Sequence, residues 1–395
     1  MGNQQVSPEK CHATGKGLEV AKLGERATAV LHIVDNGGKP YMKPVVQETL
    51  TCELVSESTG AKIDCSMKKT EGSGEYEISY QATSRGRHQL HIKVEGEHIK
   101  GSPFSILVKQ QLNQIGKATG AITGGQTDTS EEHKLNEPWG VAINSKGNII
   151  IAENEGHCIS VFSPGGEKVV LSFGTKGTSF GQFLYPRGVA VDGEDNVLVA
   201  DGNDRIQVFT SDGKFQASTP EYEDPVTLPY GIAVHPHSKK IYVAVSDDHC
   251  IKILNADLTL SSRFGRKGSG NGEFMRPWDV AFDSTGNVYV TDFDNHRIQV
   301  FTEEGEYLRQ FGWEGSDGEE LNPNGICIDS EDVVYVTNWA TNQVLLFDCQ
   351  GVPLKPPFGS QGSELGQFAT PYGIALDKDG NIYVADLYNN RVQKF

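Results

Sequence analysis

Apolar and polar positions along residues 138–395 follow a short recurring rhythm. An apolar run such as "GVAVD" or "GIALD" gives way to a turn rich in Gly, Asp and Asn, then to "VLVAD", "VYVTD" or "IYVAD". A polar loop follows, and then "RIQVF" or "RVQKF". Short runs rich in Val, Ile and Tyr, bounded by turn formers, predict strands. The rhythm restarts at Pro138, Pro186, Pro229, Pro277, Pro323 and Pro371, at spacings of 48, 43, 48, 46 and 48 residues. In the first five copies a further turn ("SPGG", "TSDG", "TEEG") and a further strand ("VVLSFG", "LSSRFG", "YLRQFG") complete the unit. Four short antiparallel strands at a period in the mid-forties predict the blades of a β-propeller, six of them here.

The sixth copy reaches Phe395 without a fourth strand. A ring with one blade left open exposes an unpaired strand edge, which invites aggregation. Just before the first copy, "LNQIGKATG" matches the fourth-strand pattern "LRQFGWEG". Leu112 to Lys117 is therefore expected to be the outer strand of the last blade, so that residues 110–395 form a closed ring. Residues 8–108 lack the repeat. Their runs "ATAVLHIVD", "TLTCELVS", "GEYEISYQATSRGRHQLHIKVEGEHI" and "SPFSILV" predict strands at sandwich spacing. The fold class expected is all-β: an immunoglobulin-like sandwich followed by a six-bladed propeller.

Two resemblances sharpen this reading. The P-x-G start, the "V-[AT]-D" strand and the "N-x-R-[IV]-Q-V-F" strand resemble NHL repeats over roughly residues 110–395. The ending "HIKGSPF" of the first domain resembles filamin-type immunoglobulin repeats. That order of domains is similar to the C-terminal half of the TRIM-NHL family. The resemblance implies target selection for ubiquitin transfer or translational repression, with RING, B-box and coiled coil missing from the chain. The second, fourth and sixth copies fit best, pairing Asp201 with Arg205, Asp292 with Arg297 and Asp386 with Arg391. These pairs are expected to be ties within a blade. In the first, third and fifth copies Glu153, Val245 and Asn338 replace the aspartate, while Cys158, Cys250 and Gln343 replace the arginine.

Composition narrows the function. The closest two of the seven cysteines lie 13 residues apart, whereas a zinc finger needs ligands about two to four residues apart. Reduced thiols and no metal are expected. No apolar stretch is long enough to span a membrane, and the N-terminus lacks the basic and apolar regions of a secretory signal. A cytoplasmic location follows as the expectation. Residues 1–114 carry a formal charge of +1 and residues 115–395 carry −18. A polyanion approaching the ring meets a repulsive field.

His157, His249 and His296 share one place in three copies, immediately before the arginine position, and some propellers are enzymes, among them an NHL-like amidating lyase that holds zinc with histidines from several blades. A metal-dependent lyase is the minor alternative, but the place lies away from the ring axis. No phosphate loop or nucleophile–base arrangement is apparent, so neither an enzyme, a cofactor nor a small-molecule substrate is expected. A binding face is better supported. The residue after each blade-starting proline is Trp139, Arg187, Tyr230, Trp278, Asn324 and Tyr372, and the loops after the second strands add Phe293, Trp339 and Tyr388. Aromatic clusters with an arginine suit protein hot spots and also base stacking. With Glu155, Asp247, Asp248, Asp292 and Asp294 around them, a protein or peptide partner is the leading expectation, and RNA the alternative.

Overall fold

A computed structural model describes the chain except residues 1–5, 19, 23–24, 42–48, 57–59, 71–73, 83–85, 110–117, 127–131, 221–224, 313–320 and 355. It divides into two compact units, residues 1–115 with 378–380 and residues 116–377 with 381–395. The described residues form strands and a few short 3-10 turns.

The first unit is a two-sheet sandwich. One sheet places Arg26–His32 between His12–Thr14 and Glu75–Gln81, with Ser66–Lys69 beyond. The other is built around Gly86–Val94, flanked by Leu50–Ser56 and Phe104–Lys109. Alternation along these strands sends Leu31, Leu54, Ile78, Leu90, Ile92 and Ile106 inward, where all are fully buried. Such alternation is what a sheet with one wet face requires. The Tyr80 hydroxyl donates to the Gly17 carbonyl and ties strand to loop.

In the second unit, the first blade comprises Pro138–Ile143, Ile149–Glu153, Cys158–Phe162 and Val169–Phe173, paired in sequence order. The next three blades repeat this order. The second and third strands are buried along almost their whole length because each blade is sandwiched between two others. Ile149 and Ile151 meet Tyr383, Ala385 and Val392 of the sixth blade. Ile150 and Ala152, on the opposite face, meet Val189, Val197 and Val199 of the second. The innermost strands touch in a closed cycle, first to second and onward to sixth, and sixth back to first. In the fifth blade the described residues show three strands, with single bridges from Val344 to Phe358 and from Phe347 to Pro353 in place of a fourth. The segment "VPLKPPF" supplies three prolines there, and proline cannot donate to a ladder.

Closure occurs one step further along the chain than expected. Leu112 to Lys117 lies outside the described residues, and the strand that completes the sixth blade is Gly120–Ile122, antiparallel to Arg391–Lys394. Thr119 N–H extends the ladder to the Lys394 carbonyl at 2.7 Å. The match of "LNQIG" to "LRQFG" misled by residue identity. What selects the register is Ile122, which is buried in the core between the sixth and first blades.

Candidate functional site

Three features of the repeat fix the geometry of the ring, and each traces to particular residues. The first is the Asp–Arg pair. Arg297 Nε donates to Asp292 at 2.8 Å, and its remaining nitrogens reach the carbonyls of Ser269, Gly270 and Glu273 at 2.8–2.9 Å. Arg205 and Arg391 do the same for Thr178, Ser179 and Gln182 and for Ser363, Glu364 and Gln367. The guanidinium thus ties its own blade and also clamps the loop that enters it. Gln299 completes the clamp, donating to Glu273 O and Asp292 and accepting from Gly272 N. Burial pushes the Asp292 carboxyl up, while Met275 N–H, Asn295 and Arg297 pull it down.

The second feature is the residue before the arginine, held in the left-handed region in every blade. Tyr185 N donates to His157, Leu228 N to Asp204 and Arg276 N to His249. Thr370 N donates to Asn342, and Glu137 N to Asn390, the latter joining the last blade to the first. His296 Nδ1 lies 3.1 Å from the Leu321 carbonyl. The three histidines therefore cap neighbouring blades separately. Among the described residues no group of three or more His, Cys, Asp or Glu could hold a metal.

In the first blade the tie is rebuilt. His133, from outside the four strands, lies 2.7 Å from Glu153 and 3.0 Å from the Ser160 hydroxyl, and Ser160 also donates to Glu153. Both contacts fall on the same histidine nitrogen, and Ser160 is fully buried. A nucleophile needs the base and its orienting carboxylate on opposite ring nitrogens, so this cluster is a tie and not a triad.

The third feature is the P-x-G start. Each inner strand but the second shows a register shift just after its proline, a bulge that turns the following residue toward the axis. Trp139, Tyr230, Trp278 and Tyr372, from four blades, meet there. Ring centroids are 4.0 Å apart for Trp139–Tyr372, 4.9 Å for Tyr230–Trp278, 5.5 Å for Trp278–Tyr372 and 6.4 Å for Trp139–Trp278. Phe293 stacks on Trp278 at 4.3 Å. Arg187 lies over Tyr230, and Asn324 is buried with its amide donating to the Pro371 carbonyl. The Trp278 indole N–H and the Asn324 Oδ1 are buried without a partner. Trp339 meets Phe293 edge-on at 6.3 Å, at the margin of this cluster, and Trp339 and Tyr388 are 45% and 64% exposed.

Sequence reasoning therefore named two populations. Trp139, Tyr230, Trp278, Phe293, Asn324 and Tyr372 form a mutually packed floor, while Trp339 and Tyr388 are a projecting rim. It missed Arg276, which lies over Phe293 and is paired to Asp294 at 2.5 Å. It also missed Asp279, the one P-x-G position that is not glycine; the signal "PWDVAF" was plain in the repeat.

Beneath the floor runs an axial cavity of about 320 Å³, lined by all six inner strands. A Cβ on Gly140, Gly188, Gly325 or Gly373 would sit 2.3–2.5 Å from a carbonyl oxygen of the next blade, which is why glycine recurs. Asp279 accepts from its neighbour Val280 N at 2.9 Å and from Ile326 N of the next blade at 3.1 Å. Burial pushes its carboxyl up to about 7, against the pull of those two N–H groups.

A sandwich in series with such a ring defines a filamin repeat joined to an NHL propeller. The filamin/ABP280 repeat family matches residues 5–105, and the NHL repeat family matches residues 135–162, 274–301 and 368–395, the first, fourth and sixth copies. The chain has the filamin–NHL arrangement of the C-terminal half of TRIM-NHL proteins. It is 33% identical over 154 residues to the E3 ubiquitin-protein ligase TRIM71 of Gallus gallus, 39% of this chain and 17% of that protein. It is 32% identical over 145 residues to protein brain tumor of Drosophila melanogaster, 35% of this chain and 14% of that one. The chain thus matches only a small part of the length of these relatives. Among solved structures, a gluconolactonase from Xanthomonas campestris superimposes with a TM-score of 0.53 at 14% identity, covering 72% of this chain and 92% of that one. At that identity the likeness is one of fold alone.

Proposed function

We propose that this chain is a recognition module that takes a protein or peptide on the aromatic face of the propeller, as the target-selecting part of a TRIM-NHL ubiquitin ligase system. The observation that carries the reading is the state of the cations on that face. Arg276 spends its charge on Asp294, which leaves Arg187, laid over Tyr230 with its charge intact, as the one of the two that could neutralise a phosphate. Nucleic-acid affinity draws mainly on such neutralisation, and the ring unit is strongly acidic. Projecting aromatics above a packed apolar floor are, by contrast, what protein hot spots use. RNA binding is the second reading, favoured by the same exposed rings as stacking platforms.

A peptide-display selection against the full chain, run beside filter binding to a random RNA pool, tests the choice. Selected peptides should lose affinity on Trp339→Ala and Tyr388→Ala by on the order of 2 kcal/mol each, with the melting temperature unchanged. Tight, sequence-specific RNA capture at physiological salt would overturn the protein reading.

A further inference from the structure

The axial cavity beneath the aromatic floor has a chemistry that recognition on the aromatic face does not use. Its walls are the inner strands, and at the end away from the aromatics they present Ile143, Val234, Phe282, Ile328 and Leu376. Among the described residues its one charged lining residue is Asp279. The other titratable groups in the lining are the Cys327 thiol and the phenols of Tyr230 and Tyr372, and no Lys or Arg lines it. Arg187 lies over Tyr230 and is outside the lining. The carboxylate oxygens each accept one backbone N–H and have further lone pairs to offer.

Asp279 is also held in place at a cost to its neighbour. A Cβ on Gly231 would lie 2.2 Å from Asp279 Oδ1, so the carboxylate fills the space that a side chain there would need. With about 3.3 Å of rise per residue, the carboxylate sits roughly 10 Å along the strand from Phe282. A carboxylate with no cation among the described lining residues, in a cavity whose far end is apolar, matches one kind of visitor. We propose that the axial cavity binds an alkylammonium group, its hydrocarbon stem against the apolar end of the channel and its charged head on Asp279. The group has two sources, a lysyl side chain of a partner segment or a free small amine, and both offer the same head and stem.

Titration calorimetry on the full chain at pH 8 tests this, with n-hexylammonium as the probe and n-hexanol as the control that keeps the stem and lacks the charge. One equivalent of n-hexylammonium should bind, and n-hexanol, whose hydroxyl can still donate to the carboxylate but brings no charge to it, should bind about tenfold more weakly or worse. Asp279→Asn should lose the same factor, and so should Asp279→Gly, which restores the residue the other five blades carry. Near pH 7 uptake should release protons, seen as heats that differ between buffers of different ionisation enthalpy. A capped lysyl peptide binding more tightly than free n-butylammonium identifies the side chain as the source, and the reverse order identifies the free amine. Equal uptake by the two Asp279 variants and the parent chain, equal uptake of n-hexanol, or binding of calcium ion in place of the amine would overturn the proposal.

Discussion

Replacing Arg297 by alanine removes the centre of one clamp, and the structure sets how much that costs. Five hydrogen bonds go: to Asp292, to three loop carbonyls and to Gln310. Counting each at the strength of a charge-assisted bond would give roughly 10 kcal/mol, which overstates the loss because the five share one side chain. Asp292 keeps Met275 N, Asn295 and Gln299 as donors, and Glu273 O keeps Gln299. The expected loss is therefore that of breaking a buried pair, about 3–5 kcal/mol, toward the lower end. A sign follows from the carboxyl. Burial already holds Asp292 above its ordinary range, and without Arg297 it rises further. A raised carboxyl binds its proton more tightly in the folded state, so the variant loses stability as pH rises through the folded pKa. Urea unfolding at pH 5 and pH 8 should show a larger deficit at pH 8. Arg297→Lys should recover part of it, because one ammonium reaches Asp292 but cannot fork to three carbonyls. A deficit under about 1 kcal/mol, or one that is independent of pH, would refute the clamp.

The strand at Gly120–Ile122 closes the ring, so Ile122→Asp should lower the melting temperature while Leu112→Asp leaves it unchanged, and equal losses would remove that assignment. In the first blade the hydrogen bond to Glu153 raises the His133 imidazole above its ordinary pKa. Its contribution is then fully present below about 6.5 and is lost as pH rises through the folded value. His133→Gln should accordingly destabilise at pH 6 more than at pH 9 in thermal melts, and a uniform loss would mean the charge is not involved.

Much of this was legible because a propeller repeats its physics. The period and the alternation along Ile149–Glu153 follow from burying each strand on two faces, and a reader of one chain sees the rule six times. The P-x-G start was visible too, but its reason was not, since the clash of Gly140 with the Arg187 carbonyl belongs to two blades at once. The same holds for His157, whose role as a cap for Tyr185 N exists only between blades. Trp278 and Tyr388 looked equivalent as aromatic loop residues. One is packed under Phe293 and the other projects, and that difference is set by partners distant in sequence.

The departures from the repeat carry the remaining argument. Where Arg205, Arg297 and Arg391 fasten three blades, the other three must hold the entering loop by other means. Glu153 accepts Asn136 N and Asn338 accepts Asn322 N at 2.8 Å each, so the acceptor role outlives the arginine. In the third blade Val245 cannot accept, and Lys252 is instead fully buried with its ammonium on the Pro225 carbonyl. Each substitution thus leaves the loop tied, which is what a scaffold needs if its face is to stay fixed while its surface residues vary. Asp279 is different in kind. It stands where the other five blades carry glycine, and brings a charge into a cavity whose described lining holds no cation. As a structural tie it uses one carboxylate oxygen for each of the two N–H groups, and an asparagine could accept only one of them, with its NH2 set against the other. The tie accounts for the two oxygens but not for the negative charge they carry, which no cation among the described lining residues offsets.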